Sequence, residues 1–253
     1  MKKTLIALAV ATSAVVSGSA LAWNAGNANG SVDFGGTITP DTIQSPWEVK
    51  IGAGLTDLDS NVASGVKSVD INLPNDALVL GIRSDNFFNG GVGLAPQINY
   101  SGKIGNSFSQ GKVDLTLDVK DASTDSVIGT LTTKLTTAAM GATKSAGATG
   151  HYFMWAGQAG QAYFGGLSND VYKAATNAED LANKIDPSIV EKWEAAGDHK
   201  GGFPSDFSVT DAQYNSFYIS AVQASDTMTI ALDQAPTSSV TWTASLPVIV
   251  TYQ

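Results

Sequence analysis

The chain has 253 residues, 14 basic against 23 acidic side chains, a net charge of −9 at pH 7 and no cysteine. A thiol nucleophile, a thiolate metal site and disulfide staples are excluded, and an acidic chain without a basic stripe argues against nucleic acid or anionic lipid as a partner. Only 15% of residues are charged, so stability has to come from burial and strand pairing, for which a chain of this size suffices.

The first residues read as an address. Met1-Lys2-Lys3 is a positive start, Leu5–Val16 an apolar run, and Ala20-Leu21-Ala22 a small-x-small cleavage site. That pattern predicts a secretory signal peptide over 1–22, cleaved after Ala22, with an apolar run too short for a membrane span. Removing Lys2 and Lys3 with it takes the net charge to −11. No later stretch has the roughly 18 unbroken apolar residues of a membrane helix.

Behind the leader, Gly30–Pro40 (GSVDFGGTITP) alternates: Val32, Phe34, Gly36 and Ile38 share one face, Ser31, Asp33, Gly35, Thr37 and Thr39 the other. Period-2 segments then recur between turn residues. They are Trp47–Ile51, Val66–Leu73, the nearly continuous apolar Ala77–Ile82, Pro96–Tyr100, Val113–Val119 and Ser126–Leu135. Late in the chain follow Ser216–Val222, Thr227–Leu232, Val240–Ala244 and Leu246–Tyr252, the last with Leu246, Val248, Val250 and Tyr252 on one face. About ten short strands with few helices predict an all-β sandwich of immunoglobulin-like type.

The stretch Asn169–Gly197 changes character, within a helical insertion expected around 150–205. A helix is predicted over Ala178–Ile185, and Asp186-Pro187 reads as N-cap and first turn of another that carries Ile189, Val190 and Trp193 and closes at Gly197. These helices form an insertion between strands, flanked by the turns Gly141–Gly150 and Asp198–Gly202. Its aromatic run His151-Tyr152-Phe153-Met154-Trp155, with Tyr163-Phe164, has two readings. The rings pack beneath the insertion, or Phe153, Trp155 and Tyr163 form a platform for the apolar face of a sugar.

Catalytic signals are absent. Two histidines, His151 and His199, are too few for a histidine-rich metal site, and there is no H-E-x-x-H, no G-x-S-x-G elbow and no phosphate-cradling glycine loop. Asp57-Leu58-Asp59-Ser60-Asn61 starts like a calcium loop but has Val62 where glycine is required, so it reads as a polar turn. Neither a metal nor a cofactor is expected, and the chain is not expected to be an enzyme.

The two ends of the chain pose the functional question. Both are ordinary strands of one closed sandwich, or the sandwich lacks a strand and an extended segment of another chain fills the groove beside its terminal strand. An open edge otherwise invites uncontrolled pairing. Glycine at position 36 suits a point where such a groove narrows.

The segment following the leader, WNAGNANGSVDFGGTIT, resembles the start of FaeG-type major fimbrial subunits, the adhesive pilins of enterobacterial chaperone–usher fimbriae. So do Pro96-Gln97-Ile98, Ala162–Leu167 (AYFGGL), Asp233–Trp242 (DQAPTSSVTW) and the ending LPVIVTYQ. The likeness runs from leader to C-terminus, covers the insertion only loosely, and departs at Gln253, where relatives often end in a second aromatic. It implies an incomplete immunoglobulin-like domain over 41–253, preceded by a donor segment over 23–40. In that scheme Val32, Phe34, Gly36 and Ile38 complete the next subunit of a homopolymer. Leu246, Val248, Val250 and Tyr252 belong to the strand that a periplasmic chaperone and then the donor pair with, and an outer-membrane usher assembles the surface fimbrium. The resemblance also implies receptor binding by the insertion, often to galactose-containing host glycans. The competing expectation is a self-contained secreted carbohydrate-binding sandwich that never polymerises. A secreted glycosidase would need two placed carboxylates, and an outer-membrane barrel is disfavoured by the predicted helices.

Overall fold

The computed structural model describes residues 45–253. The leader and the segment carrying Val32, Phe34, Gly36 and Ile38 lie outside the described residues.

The described body is mostly β-sheet. Its strands are β1 (Trp47–Ile51), β2 (Ser68–Ile71), β3 (Ala77–Ser84), β4 (Phe88–Asn89), β5 (Pro96–Asn99), β6 (Lys112–Asp121), β7 (Val127–Lys144), β8 (Gly150–Met154), β9 (Asp198–Phe203), β10 (Gln213–Val222), β11 (Met228–Leu232), β12 (Trp242–Ala244) and β13 (Ile249–Tyr252). One α-helix, α1 (Ala178–Ile185), is flanked by short 3-10 turns at Val171–Lys173 and Pro187–Ile189.

The long strand β7 organises the sheet. Its first half pairs with β6 on one side (Val113↔Leu135, Leu117↔Leu131) and with β11 on the other (Ile230↔Leu131). Its second half pairs with β8 (Met140↔Phe153) and with β10 (Phe217↔Met140). Beyond β10 come β3 and then β1 at the edge, and beyond β11 comes β2. On this sheet β4 also pairs with β10, β9 with β8 and β12 with β6, while β5 and β13 form a separate two-stranded ladder.

Alternation explains β6: Val113, Leu115, Leu117 and Val119 are buried while Asp114, Thr116 and Asp118 face solvent. It fails in the second half of β7 and in β10, where successive residues are buried on both sides. One face of these strands (Leu135, Ala139, Tyr218, Val222) joins the main core. The other (Ala138, Met140, Phe217, Ile219) meets Ala178, Leu181 and Ala182 of α1 and Ile189. Ala138, Ala178 and Ala182 leave room for the helix against the sheet, and with both faces covered no period-2 signal survives. The strand expected to end at Leu135 therefore runs nine residues further, to Lys144.

Two other expectations are corrected. The stretch read as a turn, Asp198–Gly202, belongs to β9, which runs parallel to β8. Parallel neighbours need a crossover, and the inserted segment supplies it. The second helix expected after Asp186-Pro187 shortens to a 3-10 turn: Asp186 accepts from the Ser188 amide (3.1 Å), but the chain leaves helical geometry at Val190. Arg83 captures this segment through the Ser188 carbonyl and Glu191, while Lys192 pairs with Asp85 and Lys50 with Asp186 (2.5 Å). Gly197 has the expected positive φ of 48°, but it leads into β9 and closes no helix.

A buried hydroxyl network braces the main core. Tyr100 Oη meets Tyr218 Oη (2.9 Å) and Ser220 Oγ (2.8 Å), Tyr218 Oη donates to the Gly166 carbonyl (3.1 Å), and Tyr163 Oη meets Ser216 Oγ (2.9 Å). Burial pushes the Tyr100 phenol up to about 12 and holds those of Tyr163 and Tyr218 above the ordinary range.

Candidate functional site

The C-terminal stretch is one extended run that changes partner midway. Trp242, Thr243 and Ala244 pair with Asp121, Lys120 and Val119 of β6. Ile249–Tyr252 pair with Asn99–Pro96 of β5, and Gln253 exchanges two 3.0 Å backbone bonds with Ala95. Between them lies Pro247, which has no N–H to give to a ladder, and Ser245–Val248 stand outside regular pairing. Strands β12 and β13 each have a single ladder partner among the described residues. The opposite edge of the terminal run therefore carries no ladder there.

Side chains along this run alternate. Trp242, Ala244, Leu246, Val248 and Val250 are half-buried and pack on the main core, while Thr243, Ser245, Pro247, Ile249 and Thr251 are exposed. Tyr252 is exposed at the end of the run. Leu246, Val248 and Val250 thus stand on one inward face, as expected, but are only partly covered.

What leaves Leu246 and Val248 uncovered is a trough of about 1430 Å³. Its floor is apolar: Ile71, Leu115, Leu117, Leu131, Met228 and Ile230 come from β2, β6, β7 and β11. One lip is formed by residues 51–65 and the other by residues 235–248. Protein interiors are normally packed as densely as organic crystals, so core side chains lining an open channel mark a core that the described residues do not close. The volume exceeds the roughly 300–1,000 Å³ of small-molecule pockets.

The strand that holds β13 in place is itself tightly held. The Gln97 side chain donates to the Gln161 carbonyl (2.9 Å) and accepts from the Gly160 amide (3.1 Å). Ile98 N donates to the Phe164 carbonyl (2.9 Å), and Tyr163 N to that of Pro96 (2.5 Å). The loop 156–167, which contains AYFGGL, therefore buttresses β5 on the side away from β13.

The aromatic residues separate. Phe153 and Trp155 lie on the outward side of β8 and its extension, half-buried; Tyr152 and Met154 point into the main core. Phe153 stacks against His199 (6.2 Å between centroids) and packs beside the helix cluster. Trp155 keeps its Nε1–H out of solvent with no acceptor among the described residues. Tyr163 is 0% exposed and stacks on Tyr218 at 5.2 Å, so it has no face to offer a ligand. The two histidines are cross-strand neighbours, His151↔His199, a pairing that sequence separation concealed. Among the described residues no group of three or more metal-ligating side chains gathers.

The described body is mostly β-sheet, with an open apolar trough beside a terminal strand that is paired on one edge, and comparison with known proteins gives its class a name: a fimbrial subunit. Residues 1–253 fit the family described as fimbrial, major and minor subunit, of K88 type, and the chain belongs to it. It is similar to the K88 fimbrial protein AB of Escherichia coli, 29% identical over 289 aligned residues that cover all of both chains. It is also similar to the F41 fimbrial protein of Escherichia coli, 31% identical over 281 aligned residues, again covering all of both chains. It is thus a structural subunit of a surface fimbria and not an enzyme.

Proposed function

We propose that this subunit polymerises by donor-strand exchange. A leader ending at Ala22 directs the chain to the periplasm. A chaperone occupies the trough there, and an usher replaces it with the N-terminal segment of another copy. Val32, Phe34 and Ile38 of that segment fill the trough and Gly36 crosses its narrowest point. Leu246, Val248, Val250 and Tyr252 belong to the strand on which both chaperone and donor build. The observation that carries this reading is the trough itself: an apolar floor, one lip formed by a strand with an unladdered edge, and no described residue closing it. Each apolar donor side chain contributes about 1.5–3 kcal/mol on burial. An extended backbone adds ladder hydrogen bonds worth about 1 kcal/mol each.

A closed, self-contained carbohydrate-binding sandwich would have its core side chains covered, and the trough disfavours it. Adhesion to host glycans remains part of the proposal, carried by Phe153 and Trp155, which keep exposed surface where Tyr163 does not. The test is deletion of residues 23–38 from the exported chain. Chaperone-bound subunit without fibres by electron microscopy is expected; fibres assembled from the deleted chain would refute the donor role.

A further inference from the structure

The described body starts beside the two roots of a single loop. Ser45 Oγ accepts from the Trp47 amide (3.3 Å), the Pro46 carbonyl accepts from Asp85 N (3.1 Å), and Trp47 Nε1 donates to the Leu94 carbonyl (2.7 Å). The loop between Asp85 and Leu94 is locked to a second loop, 204–212: Gly90 N donates to the Ala212 carbonyl and Gly91 N to the Phe207 carbonyl, both at 2.9 Å. The fit is close enough that a side chain at Gly90 would collide with the Val209 carbonyl. Beneath the loops lie the rings of Trp47, Phe88, Phe207 and Tyr214, with neighbouring centroids 5.2–6.0 Å apart.

These rigid loops hold two apolar side chains out in water. Val92 is 84% exposed and Val209 55% exposed. Single exposed apolar residues are commonplace. Here two of them sit on mutually locked loops at the point where the preceding chain joins the body. Ile38, the last donor residue, is seven residues from Ser45, a span of at most about 24 Å even fully extended. Any copy whose trough receives that segment is therefore tethered beside these two loops.

We propose that Val92 and Val209 form an apolar contact between a subunit and the second copy that receives its N-terminal segment. This rests on the donor-strand reading and adds to it a surface outside the trough. A rigid contact of this kind fixes the angle between successive subunits, which a tether alone leaves free.

The chain has no cysteine, so one introduced thiol is unique. Val92→Cys and Val209→Cys chains, and Tyr172→Cys as a reference on the 3-10 turn of the insertion (93% exposed), are labelled with a maleimide as chaperone-bound subunits and as fibres. Thiol labelling follows exposure, and the proposal expects positions 92 and 209 to react at least about tenfold more slowly in fibres, relative to position 172. Fibres in which position 92 labels as fast as in the single subunit overturn the contact and leave donor exchange standing. Failure of the parent chain to form fibres at all overturns both.

Discussion

Two glycines in the loop that buttresses β5 make a controlled experiment. Gly160 (φ +88°) and Gly165 (φ +83°) both occupy the left-handed region, but a Cβ at Gly160 meets nothing within 4 Å, whereas one at Gly165 lands closer than 3.0 Å to the Ile98 carbonyl oxygen. Alanine at either site pays a backbone penalty of about 1–2 kcal/mol, and both gain equally from a less flexible unfolded chain. Only Gly165→Ala must also move backbone of β5, whose far edge carries Val250 and Tyr252. That overpacking costs a further 1–3 kcal/mol or so. For a chain of this size about 1 kcal/mol corresponds to 2–4 °C. Gly165→Ala should therefore melt about 2–12 °C below Gly160→Ala when the intact chain is followed by circular dichroism, and should also slow assembly. Equal melting temperatures would refute the argument that this loop positions the strand beneath the terminal run.

Further outcomes follow from the charged and phenolic groups. The folded chain holds the phenols of Tyr100, Tyr163 and Tyr218 above the ordinary value, so their contribution is complete below about pH 10 and declines as pH rises toward their folded values. The loss approaches about 1.4 kcal/mol per pH unit for each phenol, and Tyr218→Phe should flatten the fall of Tm between pH 10 and 11.5. In acid the sign reverses. Hydrogen bonds from Arg83 and Lys192 hold Glu48 and Asp85 below the usual carboxylate range, and for Asp186 the bonds from Lys50 and Ser188 outweigh a burial effect in the opposite direction. Their support is complete above about pH 4 and fades below it, so amides of 186–193 should exchange faster there before those of β10 do. Arg83→Met should produce the same local loosening at neutral pH, measured by hydrogen exchange, while the ladder between β5 and β13 stays protected.

Much of the body was legible because one-sided burial writes period 2 into a strand. Val113–Val119 and the terminal run could be read that way, and the inward positions of Leu246, Val248 and Val250 follow from the same pattern. Where a strand is covered on both faces the signal vanishes, and Thr136–Lys144 went unread although it carries α1. Asp198–Phe203 was hidden by its composition: glycine and lysine suit a turn, yet here they form an edge strand, with Gly202 making room for the Phe153 ring. Asp186-Pro187 signalled a helix start correctly, but local capping cannot foresee the ionic clamp that draws Glu191 and Lys192 toward β3. Tyr163 looked like its aromatic neighbours in sequence, and only its placement against Tyr218 and Ser216 makes it a core residue. No alternation of residues reveals whether a core is left open.

Donor-strand exchange requires the open edge of the terminal run to take up the N-terminal segment. Hydrogen exchange of Ser245–Tyr252, measured on a chain lacking residues 23–40 with and without a synthetic peptide of residues 28–40, addresses that edge amide by amide. The peptide should slow exchange along this run and along the 51–65 lip, and a peptide with Phe34→Asp should not. Unchanged exchange at Leu246–Val250 under saturating peptide would contradict donor-strand exchange.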